Sequence, residues 1–287
     1  MRAGARLKPA VRDERGANPA VGRSPAAPRR FLVCLVAWLA CFIGATPARA
    51  ASQPIAISAA ASLRNVLQAV NAAYEKRNNE RVSAVYGPSF RLASDIARGA
   101  VPDVFISADS ASVAYLETRN LVRGDVLMEL VRNRLVVVAR DGYTAPREAR
   151  KSPAAALSSM TALALPDPRQ HPAGKFGQAA LMKLGLWESM GAKIRASSSI
   201  RAVLDLVASG EVDGGIVYRS AALREPRTHI VQILPETAHP PIAYTVAVTT
   251  HGRGWPAVSA YVSYIRSQAA LDIFERYGFQ RDAPWQK

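Results

Sequence analysis

The chain has 287 residues, 49 % of them hydrophobic, with 37 Lys and Arg against 22 Asp and Glu for a formal charge of +15. Its two cysteines, Cys34 and Cys41, both precede residue 50, so the rest of the chain has neither a disulfide framework nor a thiol nucleophile. The basic surplus is not gathered into a run, which argues against a nucleic-acid partner but suits the approach of a small anion.

Residues 1–50 read as a secretory signal. Arg29 and Arg30 precede the apolar stretch FLVCLVAWLACFIGAT, and Ala48-Arg49-Ala50 supplies an A-x-A end, so export with cleavage after Ala50 is expected. The apolar stretch is shorter than the roughly 20 residues a membrane helix needs. Nine of the basic and two of the acidic residues fall in this segment, leaving 28 against 20, a surplus of 8. An exported chain without cysteine must be held by its core, and residues 51–287 are enough for one large or two modest domains.

Strand-like and helix-like segments then alternate. Pro54 to Ala59 is a short apolar strand, and Ser62 to Lys76 sets Leu63, Val66, Leu67, Val70 and Tyr74 on one helical face, with Ser62 as its expected cap. Arg81 to Tyr86 reads as a strand broken by Gly87-Pro88-Ser89, and a short helix follows over Phe90 to Arg98, ended by Gly99. Asp103 to Ser107 is a third strand, with Asp109 placed to cap the next helix. Leu135 to Ala139 (LVVVA) has the uninterrupted apolar character of strands buried in parallel sheets. Ala162 to Leu165 is a strand, Asp167 to Gly174 a polar loop, and Lys175 to Leu184 a helix stopped by Gly185. After the cap-like run Ser197-Ser198-Ser199, Ile200, Val203, Leu204 and Val207 mark an amphipathic helix. Gly214 to Tyr218, Ile230 to Leu234 and Tyr244 to Thr249 are strands, and Pro256 to Tyr277 is helical. This order predicts an α/β fold with mostly parallel sheets flanked by helices. Two lobes are expected, one from residues 51–134 plus 245–287 and the other from residues 135–244.

Enzyme signatures are missing: there is no G-x-S-x-G, H-E-x-x-H, Walker loop or G-x-G-x-x-G. His229 and His239 sit in turn-like or Pro-rich surroundings that suggest solvation, and only His171, in DPRQHPAG, lies in a loop that could border a ligand. What the chain offers instead is a set of helix beginnings at strand ends: Ser62, Ser89, Ala173-Gly174 and Ile200. Helix starts expose N–H donors and the positive end of the macrodipole, so they hold anions without a lysine or arginine. A cap explains any one of these positions. Four of them with Tyr218 in one exported α/β protein favour an anion site.

The segments SAAASLRNVLQAV, GAVPDVFISAD, NRLVVVAR, DPRQHPAGKFGQAALMKLG and SSIRAVLDLVASGEVDGGIVYRSAA, in this order and spacing, resemble the periplasmic molybdate-binding proteins of molybdate ABC transporters. The resemblance implies a two-lobed periplasmic binding protein fold of type II, closing on a tetrahedral oxyanion in the interlobe cleft. It implies molybdate or tungstate as ligand, no cofactor, no catalysis, a monomer, and a membrane permease with a cytoplasmic ATPase as partner. Sulfate or another oxyanion is the alternative ligand, and an α/β hydrolase or transferase the remote one. Position by position, the resemblance gives the ligand to Ser62, Ser89, the backbone of Ala173 and Ile200, and Tyr218. Phe90 and Arg91 depart from the pattern, and they are expected in the core and on the surface respectively.

Overall fold

The structure, a computed structural model, describes residues 53–122, 127–252 and 254–281. The expected signal and its cleavage after Ala50 lie outside the described residues. Among those residues no helix is long and apolar enough to cross a membrane.

Strand β1 (Ile55–Ala60) ends in a single 3-10 turn, Ala61–Leu63, which runs into α1 (Arg64–Asn78). Asn79, in the left-handed conformation at φ 52°, stops that helix. There follow β2 (Val82–Gly87), α2 (Ser89–Ala97), β3 (Val104–Ser107), α3 (Ser110–Glu117), β4 (Met128–Asn133) and β5 (Leu135–Arg140). The next elements are α4 (Pro153–Ser158), β6 (Leu163–Pro166), α5 (Pro172–Lys183), α6 (Trp187–Met190), β7 (Ile194–Ser197) and α7 (Ile200–Ser209). The chain closes with β8 (Gly214–Tyr218), α8 (Arg219–Ala222), β9 (Thr228–Ile233), β10 (Ile242–Val248), α9 (Pro256–Ile265), α10 (Gln268–Arg276) and β11 (Gln280–Arg281).

The strands form two sheets, ordered β11-β4-β10-β3-β1-β2 and β7-β6-β8-β5-β9. A single residue, Arg134, separates β4 of the first sheet from β5 of the second, and the chain returns between Ile233 and Ile242. One apolar cluster runs from Ile57, Val104 and Val246 of the first sheet to Leu135, Leu163 and Ile216 of the second. Each such side chain removed from water contributes about 1.5–3 kcal/mol.

The sheets are mixed, not mostly parallel. In the first, β1 pairs parallel with β2 and β3, while β10 pairs antiparallel with β3 and β4, and β11 antiparallel with β4. In the second, β6 pairs parallel with β7 and β8, but β5 runs antiparallel to both β8 and β9. The apolar run LVVVA therefore reports burial on both faces and not strand direction.

The helix starts follow the sequence reading with two corrections. Asp109 caps α3 by accepting from the Ser112 N–H at 2.7 Å, and Ser199 caps α7 by accepting from Ala202 at 3.1 Å. Ser62 caps nothing: it sits inside the 3-10 turn, where no side chain accepts a helix N–H. The helix expected from Lys175 starts at Pro172, because proline lacks the N–H that a first helical turn leaves unpaired.

Candidate functional site

The C-terminal ends of β1, β2, β6, β7 and β8 lead directly into the positions that the sequence singles out. Ser62 follows β1; it is exposed, and its Oγ lies 2.9 Å from the Tyr244 hydroxyl on β10. Ser89 follows β2 as the first residue of α2. It is buried, and its Oγ accepts the Ala108 N–H at 3.0 Å. That N–H belongs to a tight turn in which the Ser107 hydroxyl donates to the Asp109 carbonyl at 2.7 Å. The turn after β3 thus fixes the serine after β2. In each serine the hydroxyl hydrogen is the group that an outside acceptor would use.

Ala173 is fully buried in the first turn of α5, and its N–H already donates to Nδ1 of His171 at 3.1 Å. His171 is the N-cap of that helix. Accepting this bond requires an unprotonated Nδ1, and burial pushes the His171 pKa below the usual histidine value. Because unfolded His171 would protonate near pH 6.5 and the folded form only at lower pH, acid favours the unfolded chain. The stability that this imidazole contributes is complete above about pH 6.5 and is lost as pH falls through the folded pKa. In His171→Asn, which caps without titrating, the fall in melting temperature between about pH 7 and 5 is expected to shrink; thermal melts across that range check it.

Ile200 opens α7, and its N–H has no acceptor among the described residues, as the first turn of a helix dictates. Tyr218 ends β8 opposite Leu135 and is 5 % exposed. Its hydroxyl has no hydrogen-bond partner among the described residues. Burial first, then the nearby Tyr244, pushes its pKa well above 10, so it remains a protonated donor. Sequence reading passed over Tyr244 as a strand residue. The signal was a polar tip on an otherwise apolar strand face, which needs a partner once buried.

The loop before α5 is tied together through Asp167. Asp167 accepts from the backbone and guanidinium of Arg169 and from Gln170. These bonds, the Arg169 side chain foremost, hold its carboxyl down to about 2. Two other expectations need correcting. Phe90 does not enter the core: it is 64 % exposed, with its ring 5.7 Å from that of Tyr115, because the buried face of α2 is taken by Ser89, Leu92, Ala93 and Ile96. His239 is not solvated but 8 % exposed, its Nδ1 held 2.7 Å from the Pro240 carbonyl and its ring 6.0 Å from Phe176. Arg91 lies on the surface.

Residues 55–280 match the family described as bacterial extracellular solute-binding protein. The chain is 33 % identical to the molybdate-binding protein ModA of Escherichia coli (strain K12) over 254 residues, 84 % of this chain and 97 % of that one. It is 31 % identical over 234 residues to the molybdate-binding protein ModA of Haemophilus influenzae, 80 % of this chain and 91 % of that one. Among solved structures, the substrate-binding domain of an ABC transporter from Clostridium difficile assigned to molybdenum superposes with a TM-score of 0.72 at 27 % identity, covering 79 % of this chain and 98 % of that one.

Proposed function

Because the chain belongs to the bacterial extracellular solute-binding proteins, we propose that it captures molybdate in the periplasm, accepts tungstate as well, and delivers the anion as a monomer to a membrane permease driven by a cytoplasmic ATPase. The lobes of this reading are residues 51–134 plus 245–287 and residues 135–244, except that Ile242, Ala243 and Tyr244 pair with β4 in the first sheet and go with the first lobe, and the ligand lies between them. Ser62 and Ser89 hold the anion by their hydroxyls. The backbone N–H groups of Ala173 and Ile200 and the phenol of Tyr218 close on it from the second lobe. Differential contacts of this kind shift a hinged protein toward its closed state without any covalent step.

The observation that carries this reading is the character of the donors. Ser62, Ser89 and Tyr218 are neutral, and Tyr218 stays protonated at any physiological pH. Molybdate at neutral pH is a fully deprotonated dianion that only accepts, whereas hydrogen phosphate also needs an acceptor. Ala173 enters the site only if its N–H is shared between His171 and the ligand.

Isothermal titration with molybdate, tungstate, sulfate and phosphate tests the reading. Molybdate and tungstate are expected to bind tightly and phosphate not at all; sulfate binding tighter than molybdate would reassign the ligand. Tyr218→Phe deletes a hydroxyl that no described residue uses. It is expected to weaken molybdate binding about tenfold, the lower end for a hydrogen bond to a charged group, and to leave the ligand-free melting temperature unchanged. Titration and melting of the same sample check both parts.

A further inference from the structure

With no partner for its hydroxyl among the described residues, Tyr218 takes its place from the packing of its ring and from the backbone on either side of it. On one side is β8, where Tyr218 pairs with Leu135. On the other is α8, which begins at the next residue. A helix of four residues does not hold itself together in water, and α8 is seated by its surroundings. The Arg219 N–H donates to the Arg134 carbonyl at 2.8 Å, and the Ser220 N–H to Oδ1 of Asn133 at 3.4 Å. Nδ2 of Asn133 in turn donates to Oγ of Ser220 at 2.8 Å. Asn133 is buried at the end of β4, so the turn that follows Tyr218 of the second sheet rests on a strand of the first.

The other wall of this seat is Gly278, between α10 and β11. Its N–H donates to the Glu275 carbonyl at 2.9 Å and the Phe279 N–H to the Phe274 carbonyl at 3.1 Å, and its φ is 88°, the left-handed ending of a helix. Phe279 anchors the turn: it is buried, its ring edge-on to those of Tyr244 at 5.5 Å and Phe274 at 5.9 Å. A helix ending by itself accounts for a glycine, and Gly185 ends α5 through the same pair of bonds at φ 71°. The two glycines differ in what faces them. A Cβ on Gly185 would meet nothing within 4 Å, whereas on Gly278 it would lie 2.9 Å from Cδ1 of Leu223, 3.0 Å from Cα of Ser220 and 3.1 Å from the Ser220 nitrogen. The Gly278 backbone therefore bears directly on the first turn of α8. Beside it the Arg224 guanidinium covers the Tyr277 ring at 5.0 Å.

We infer that Gly278 and Asn133 are positioning residues for Tyr218: together they hold the turn that sets where the second sheet presents its phenol to the anion. This rests on the oxyanion-binding reading above. Hydrogen bonds weaken steeply with distance and angle, so a small displacement of α8 reaches the ligand through the residue just before it. The seat also lies beside Arg134, the single residue between β4 and β5. A rotation of one sheet against the other about that residue moves nearby contacts least, so the seat can stay made while the cleft opens and closes.

A double-mutant cycle tests the inference. Gly278→Ala drives a methyl group against the Ser220 backbone. Molybdate affinity by titration is expected to fall about tenfold in the otherwise native chain, and by less than about twofold when Tyr218 is already phenylalanine. Gly185→Ala brings the same left-handed strain without the contact; its melting temperature is expected to fall while molybdate affinity stays within about twofold of the native chain. Ser220→Ala removes the bond to Asn133 and adds no volume. It is expected to weaken binding about three- to fivefold with the same dependence on Tyr218, and it decides the matter should Gly278→Ala fail to fold. Losses of equal size in both backgrounds, or none from either variant, overturn the positioning role, as does a loss in Gly185→Ala as large as that in Gly278→Ala. A native chain that binds neither molybdate nor tungstate overturns the oxyanion reading itself, and the positioning role falls with it.

Discussion

Gly174→Ala is expected to lower stability by about 3 kcal/mol and to remove most of the oxyanion affinity, although alanine is the better helix former. Gly174 is the third residue of α5, where propensity alone would favour alanine by about 1 kcal/mol. The structure reverses that sign. A Cβ at this position would sit 2.1 Å from the Pro166 carbonyl oxygen, 2.8 Å from the Pro168 nitrogen and 2.9 Å from the Asp167 carbonyl carbon. All three are backbone atoms, so no side-chain rotation relieves the contact, and the helix must move away from the end of β6. Such a shift carries off the first turn, including the Ala173 N–H and its His171 cap. Gly191→Ala is the matching comparison: this glycine has helical dihedrals of −52° and −46° and nothing within 4 Å of the added carbon. It is expected to gain about 0.4–1 kcal/mol by restricting the unfolded chain. Denaturant titrations of both variants, with molybdate titration of each, decide the matter. If Gly174→Ala were as stable as Gly191→Ala, the helix would not depend on this close approach.

What could be read from sequence follows from which signals are local. The helical faces of α1 and α7 and the buried strands β1, β5 and β8 carry their periodicity within a single segment. Strand β4 does not: Met128–Asn133 mixes Glu129 and Arg132 with Leu130 and Val131, and it abuts the apolar run of β5, so two strands in two sheets resemble one. Strand β7 is an edge strand of four residues with Arg195 and Ala196 exposed, and it leaves no alternating pattern to find. Direction was equally hidden, because burial on both faces is the same for a parallel and an antiparallel neighbour. At the candidate site the positions were visible as helix beginnings, but their internal partners were not. Ser62 and Tyr244 are 182 residues apart, and Asn133 and Ser220 are 87 apart. No window of local sequence relates such pairs. His171 was noticed as a loop histidine and proves to be a cap, a role for which its residue type gives no statistical hint.

Ser62 shows how the two kinds of information combine, and it yields the sharpest separation of roles. If Ser62 were the cap of α1, its removal would cost stability, typically about 1 kcal/mol, and spare the ligand. The structure leaves that helix start without a side-chain cap, and the serine's contact with the rest of the protein is its bond to the Tyr244 hydroxyl. Ser62→Ala is therefore expected to cost about 1.5–3 kcal/mol of molybdate binding, roughly ten- to hundredfold in affinity, as befits a directed hydrogen bond to a dianion. Its stability should fall by no more than about 1 kcal/mol, since Ser62 is exposed and the side-chain bond it gives up is the one to the Tyr244 hydroxyl. The affinity loss should also be unselective. A deleted donor removes stabilisation from any oxyanion in the site, so molybdate and tungstate should weaken by the same factor, because the two present the same four accepting oxygens. Titration with both anions, beside a thermal melt of the ligand-free variant, reads all three quantities. Unchanged affinity with a lowered melting temperature would return Ser62 to a purely structural role. An affinity loss confined to one anion would mean that Ser62 sets the size of the site and not its charge.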